Sequence, residues 1–152
     1  MGAPGSCTVR TAESHDLVDV VNLIDGVSGR RCREVTATQR STWNVMLETP
    51  NLSIYVAEVG AEVVGTTSLL LMPHLTYACH PTAFIEPMVV AQAHRRRGIG
   101  RKLMERVLDD ARQAGVRKVQ LLSHKRHADD GAHDFYPALG FLSEAEGFRL
   151  YL

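Results

Sequence analysis

The chain has 152 residues, of which 45% are hydrophobic and 22% charged, with 17 Lys+Arg balanced by 17 Asp+Glu. That length suits one domain with a real core, and the composition excludes a disordered chain. No apolar run approaches the ~20 residues of a membrane span, the neutral total argues against a nucleic-acid coat, and three scattered cysteines (Cys7, Cys32, Cys79) argue against a disulfide framework.

Met1 to Thr8 lacks the basic-then-apolar build of a signal peptide, so a single cytoplasmic domain over 1–152 is expected. Val9 to Thr11 reads as a first strand. Leu17, Val18, Val20, Val21 and Ile24 recur at helical spacing within Glu13 to Val27, with Ser14 and Asp16 suited to the first turn. A basic turn, Arg30-Arg31-Cys32-Arg33, leads to a second helix over Thr36 to Glu48, whose buried stripe is Trp43, Met46 and Leu47. Ser53 to Val59 and Val63 to Met72 then form a hairpin about Gly60-Ala61. Thr82 to Val90 is the fourth strand. Pro87 within it has no N–H for a ladder, so it belongs at a bulge or an unpaired edge.

The third helix is the clearest element. Ile99, Leu103, Met104, Val107, Leu108, Ala111 and Ala114 share one face, and Gly115 stands where a left-handed cap ends the helix. Val116 to Ser123 is a fifth strand, Gly131 to Leu139 a fourth helix, and Phe141-Leu142 and Gly147 to Leu152 the last strands. The order implies a mixed α/β sheet.

Charge is unevenly spread. From His94 to Arg126 there are 11 basic and 3 acidic residues, so the basic excess sits in one segment of a neutral chain. Within it, Arg95-Arg96-Arg97-Gly98-Ile99-Gly100-Arg101 joins a strand to a helix. A helix start leaves backbone N–H groups unpaired at the positive end of the dipole, glycines let an anion approach them, and arginines add charge-assisted hydrogen bonds. This is the chemistry of a phosphate or pyrophosphate cradle. A P-loop is excluded because Gly100 is followed by Arg101-Lys102-Leu103, without the hydroxyl that binds magnesium. A dinucleotide fingerprint is excluded because Leu103 stands where its third glycine belongs.

Arg95-x-x-Gly98-x-Gly100, after a strand of the type Ile85-Glu86-Pro87-Met88-Val89-Val90, resembles the acetyl-CoA-binding motif of the GNAT N-acetyltransferase superfamily. Asp129, Ala132, Tyr136, Gly140 and Phe141 are similar to a second signature of that family, with Asp129 in place of the usual Asn. The resemblance implies an α/β fold: a mixed, mostly antiparallel sheet of about six to seven strands, splayed between strands 4 and 5, with about four helices. It also implies an N-acetyltransferase that uses acetyl-CoA as cosubstrate and delivers the acetyl group to an amine by direct attack on the thioester. Met88, Val89 and Val90 match the segment that pairs with pantetheine and offers an N–H to the thioester carbonyl. Arg95, Arg96, Arg97, Gly98, Ile99, Gly100 and Arg101 match the pyrophosphate loop, and Asp129 stands at a position that touches the cofactor. Tyr136 matches the residue facing the CoA sulfur, and so is expected to protonate the departing thiolate as well as contact the cofactor.

The base has two candidates. Glu86 lies among apolar strand neighbours, where a carboxylate becomes a better proton acceptor, and His124 ends the fifth strand with a side chain of the type that titrates near neutrality. His124, His127 and His133 show no repeated ligand spacing, so no metal is expected. The acceptor is expected to be a small-molecule primary amine, with Arg30, Arg31 and Arg33 able to hold a phosphate or carboxylate on it. A peptide or protein amine, or a non-catalytic CoA-binding regulatory module, is the alternative. The resemblance also allows a homodimer.

Overall fold

The computed structural model describes residues 6–27, 34–124 and 131–152. It divides into two compact units, 1–120 and 121–152. In chain order the elements are β1 (Cys7–Thr11), α1 (Leu17–Val27), α2 (Ala37–Glu48), β2 (Leu52–Val59), β3 (Glu62–Met72), β4 (Thr82–Ile85), β5 (Val89–Val90), α3 (Ile99–Gln113), β6 (Lys118–Leu121) and α4 (Ala132–Phe135). The strands form a mixed sheet in the order β1-β2-β3-β4-β6, with β5 pairing to β3 off that path. Pairs β1/β2, β2/β3, β3/β4 and β3/β5 are antiparallel.

Side chains alternate across a strand, so β2 divides the core between two layers. Ile54 and Val56 pack with Leu17 and Val20 of α1 and Trp43 of α2. Tyr55, on the opposite face, reaches α3, where its hydroxyl donates to Asp110 Oδ2 at 2.7 Å. Burial and that carboxylate push the Tyr55 phenol up to about 12. On α3 the residues Ile99, Leu103, Met104, Val107 and Ala111 are buried, each large one contributing about 1.5–3 kcal/mol. Five of the seven residues expected on the docked face are buried there, while Leu108 is half-buried and Ala114, at the helix end, is exposed.

Local capping follows the sequence closely. Thr36 accepts from the Gln39 N–H at 3.1 Å while the Gln39 side chain accepts from the Thr36 N–H at 2.9 Å, a reciprocal cap on α2. Gly115, at φ 73°, follows α3, and its carbonyl lies 2.9 Å from His80 Nδ1. The first helix begins later than its apolar spacing suggests, because Ser14–Asp16 forms a separate 3-10 turn ahead of Leu17.

Three expectations need correction. The strand over Thr82 to Val90 is divided: β4 pairs with β3 as far as Ile85, and β5 resumes the pairing at Val89. The interruption contains the cis Glu86–Pro87 peptide, where the missing N–H was expected to break the ladder. Phe141-Leu142 and Gly147 to Leu152, read as the last strands, form no strand. Leu142, Phe148, Leu150, Tyr151 and Leu152 are 76–115% exposed, and β-forming residues without a surface to pack on lack what makes a strand stable. The fourth helix is likewise short, ending at Phe135 before a 3-10 turn over Pro137–Leu139.

One charged knot ties the first turn to the sheet. Asp16 is 1% exposed and accepts from Arg10 Nη1 at 2.7 Å, Arg10 Nη2 at 2.8 Å and the Glu13 N–H at 2.7 Å. Arg10, on β1, also donates through Nε to Glu58 of β2 at 3.1 Å. These bonds, with Arg10 foremost, hold the Asp16 carboxyl below its ordinary value. A depressed acid contributes stability above its unfolded pKa of about 3.9 and loses it as pH falls through the lower folded value. Asp16→Asn should therefore cost about 1.5–3 kcal/mol in urea unfolding at pH 7, and the gap from wild type should narrow below pH ~4. A gap independent of pH would show that the carboxylate's charge is not what stabilises this turn.

Candidate functional site

Helix α3 begins in an unusual electrostatic state. Its N-cap, Gly98, has φ 80°, supplies no side-chain cap, and no acidic residue lies in the first turn. The Lys102 N–H bonds back to the Gly98 carbonyl at 3.0 Å, so the amides of Ile99, Gly100 and Arg101 precede the first intrahelical bond. A Cβ at Gly98 would meet nothing within 4 Å, so packing does not require glycine there; the left-handed backbone does. Arg96 is also left-handed, at φ 62°. Turns of this kind gather N–H groups into a concavity suited to an anion. Arg95, Arg96, Arg97, Gly98 and Arg101 are all exposed around it, while Ile99 is buried beneath. The site has ample positive potential and no carboxylate of its own in the helix's first turn.

Among the described residues, the strand leading into this loop is paired along one edge only. Thr66 pairs with Val89 and Gly65 with Val90, and the Ala91 N–H donates to the Val64 carbonyl at 2.8 Å. Backbone groups alternate in direction along a strand, so Val90 turns its N–H and carbonyl away from β3. Arg95 Nε donates to that outward carbonyl at 3.1 Å. An extended, amide-bearing chain can add to this edge, and the Val90 N–H can donate to a carbonyl laid against it. Val89 is buried, and Met88 and Val90 are partly so.

Glu86 follows β4. Its side chain is exposed, between buried Ile85 and exposed Pro87, so the apolar surround expected on both sides is present on one. Its backbone carbonyl accepts from the Ser68 hydroxyl. Ser68 was not singled out from sequence, because a serine inside a strand carries no local signal of what its hydroxyl will meet.

The second unit holds the remaining candidates. Tyr136 follows α4, and its ring makes edge contacts with Phe135 at 5.2 Å and Phe141 at 6.0 Å between centroids. The Tyr136 carbonyl accepts from the Phe141 N–H at 3.1 Å, which closes the turn through Gly140. His124 is exposed beyond β6. Asp129 lies outside the described residues, as do Arg30, Arg31 and Arg33. The structure thus places Glu86, Met88–Val90 and Arg95–Arg101 in the first unit, and Tyr136 and His124 in the second.

The chain is similar to known proteins in sequence and in fold. The model of the Acetyltransferase (GNAT) family matches residues 26–141. A glucosamine 6-phosphate N-acetyltransferase of Trypanosoma brucei brucei is 28% identical over 99 residues, covering 65% of this chain and 64% of that protein, under two thirds of its length. A chain from Agrobacterium tumefaciens str. C58 assigned as an acetyltransferase is 32% identical, with a TM-score of 0.88 over 95% of this chain and 99% of that one. A chain from Bacillus halodurans C-125 described as a transcriptional regulator is 29% identical, also with a TM-score of 0.88, over 97% of this chain and 100% of that one. The glucosamine-6-phosphate N-acetyltransferase of Arabidopsis thaliana, at 19% identity, shares the fold with a TM-score of 0.81 over 96% of this chain and 98% of that one. With the open sheet, the uncapped helix α3 and a family model that spans most of its length, this chain belongs to the GNAT acetyltransferase family.

Proposed function

We propose that this enzyme transfers the acetyl group of acetyl-CoA to the primary amine of a small molecule that carries a phosphate or carboxylate. The observation that carries the reading is the uncapped, arginine-rich start of α3 beside the open edge of β5. One end of the site suits a pyrophosphate, and the adjoining edge suits the amide-bearing pantetheine arm that joins it to the thioester. The outward Val90 N–H is the donor we assign to the thioester carbonyl, where it strengthens as negative charge builds on oxygen. The acceptor amine must be neutral to attack. Glu86, exposed and open to water, is the base we prefer, with His124 the alternative. The amine nitrogen forms the new C–N bond and gives up a proton to water as the C–S bond breaks; the sulfur leaves with a proton that we assign to Tyr136 on the family resemblance, and the Tyr136 phenolate recovers a proton from water. An acceptor of the amino-sugar phosphate type is supported by the trypanosomal relative's activity and by the Arg30-Arg31-x-Arg33 run of the sequence.

Gly98→Val should raise the Kd for acetyl-CoA at least tenfold, about 1.4 kcal/mol, as calorimetry reads it, because a β-branched residue abandons the left-handed cap and the amides turn away. Unchanged affinity in the folded variant would remove the cradle from the mechanism.

Tyr136→Phe preserves the aromatic packing with Phe135 and Phe141, so acetyl-CoA affinity should hold while kcat for thiol release falls at least tenfold. A thioester with a better leaving group should recover part of that loss. Near-normal turnover with chemistry rate-limiting would assign the proton to water or another group.

The base is separated by the pH–rate profile for an amino-sugar phosphate acceptor. Glu86→Gln should flatten its acidic limb while His124→Ala leaves it in place. The reverse pattern would move the role to His124.

A further inference from the structure

Strand β3 reads Glu62-Val63-Val64-Gly65-Thr66-Thr67-Ser68-Leu69-Leu70-Leu71-Met72, a run of β-forming residues with one glycine in its interior. Glycine weakens a strand, and it commonly marks a place where something approaches the backbone closely. Gly65 is buried and is not among the glycines with positive φ, so the backbone conformation does not call for it. Space does. A Cβ at this position would lie 3.0 Å from Leu103 Cδ1, 3.2 Å from the Val89 carbonyl oxygen and 3.4 Å from Ile99 Cγ2.

Those three neighbours come from the two elements that form the site. Val89 belongs to β5, whose opposite edge presents Val90. Ile99 is the first residue of α3, directly after the Gly98 cap, and Leu103 lies one turn further. Gly65 and Val90 face each other as the pair without mutual hydrogen bonds, the closer of the two pairings in an antiparallel ladder.

We infer that Gly65 is a positioning residue for the transfer: the absence of its side chain sets the spacing between the open edge of β5 and the N-terminus of α3. This rests on the reading that the edge takes the pantetheine arm and the helix terminus the pyrophosphate. The neighbours differ in how they yield. Leu103 Cδ1 is the tip of a flexible side chain and can turn aside. Ile99 Cγ2, at 3.4 Å, would be in ordinary contact and leaves α3 where it is, whereas the Val89 carbonyl, at 3.2 Å, is backbone held in a ladder, so a methyl group at residue 65 displaces β5 by a few tenths of an ångström and changes its spacing from α3. A gain in strand propensity offsets part of the clash in stability, but nothing restores the spacing. A ligand that touches both elements meets the error in full, and small misplacements are costly in catalysis.

The experiment measures binding of three probes to wild type and Gly65→Ala: acetyl-CoA, which spans both elements; S-acetyl-pantetheine, which uses the β5 edge; and 3′-phospho-ADP, which uses the α3 terminus. Gly65→Ala should weaken acetyl-CoA at least tenfold more than either fragment, since each fragment follows its own element, and kcat/KM should fall with it. Equal weakening of all three probes alongside a lowered Tm would make Gly65 a packing residue only and overturn the inference, as would unchanged acetyl-CoA affinity. Where the single variant fails to fold, Gly65→Ala/Leu103→Val removes the nearest contact and keeps the carbonyl clash, and it should show the same preference among probes. If wild type itself does not bind acetyl-CoA, the proposed function falls and this inference falls with it.

Discussion

The docking of α3 is the interaction on which the rest of the site depends. Ile99, Leu103, Met104, Val107 and Ala111 are buried along one stripe, so the helix has a single stable seating against the sheet. Seating the stripe also aims the first-turn amides, because Ile99 is both the first helical residue and part of the buried face. The hydrophobic effect is not directional, yet here it fixes the direction of a dipole. With a glycine cap and no acid in the first turn, nothing within the helix's own start neutralises that end. Arginines at 95, 96, 97 and 101 add to the same potential in a chain whose charges balance overall.

The second requirement is a strand that ends its pairing without ending its direction. β4 is paired to β3 through Ile85, and the chain then loses the ladder over three residues and regains it for Val89 and Val90. Since β6 lies beside β4 in the sheet order and β5 pairs with β3, the short strand keeps one edge of backbone groups facing outward. Arg95 already donates to one of them, the Val90 carbonyl. The strand edge and the helix start are thus neighbours in sequence, and both are built against β3.

Rigidity around this region comes from polar ties between layers as well as from apolar packing. Tyr55 reaches across to Asp110, and Arg106 of the same helix lies over the Tyr55 ring at 5.6 Å from its centroid. Arg10 joins β1, β2 and the turn before α1 through Asp16 and Glu58. A buried carboxylate accepting three hydrogen bonds has little freedom to rearrange, which suits a scaffold that must hold backbone groups in place. In the second unit the aromatic contacts of Tyr136 with Phe135 and Phe141 do comparable work for the phenol.

Much of this was legible in the residues, because the signals were local. Helical spacing in α3, the Gly115 stop, the arginine–glycine loop and the ladder break at Pro87 each depend on residues within a few positions of one another. What sequence alone could not decide depends on partners far along the chain. Residues 147–152 have strand-forming composition and form no strand, since pairing and burial decide that state. The hydroxyl of Ser68 meets the carbonyl of Glu86, a contact across eighteen positions. Gly65 is an ordinary glycine until Val89, Ile99 and Leu103 are brought against it, and its meaning is a distance between elements. The sequence by itself determined the family, most of the elements and the arginine–glycine makeup of the loop before α3, because motif spacing, periodicity and backbone handedness are short-range. The tertiary structure alone decided which strand edge stays open, which carboxylates are buried and where a side chain is forbidden, because those are set by close packing between residues the chain does not keep together.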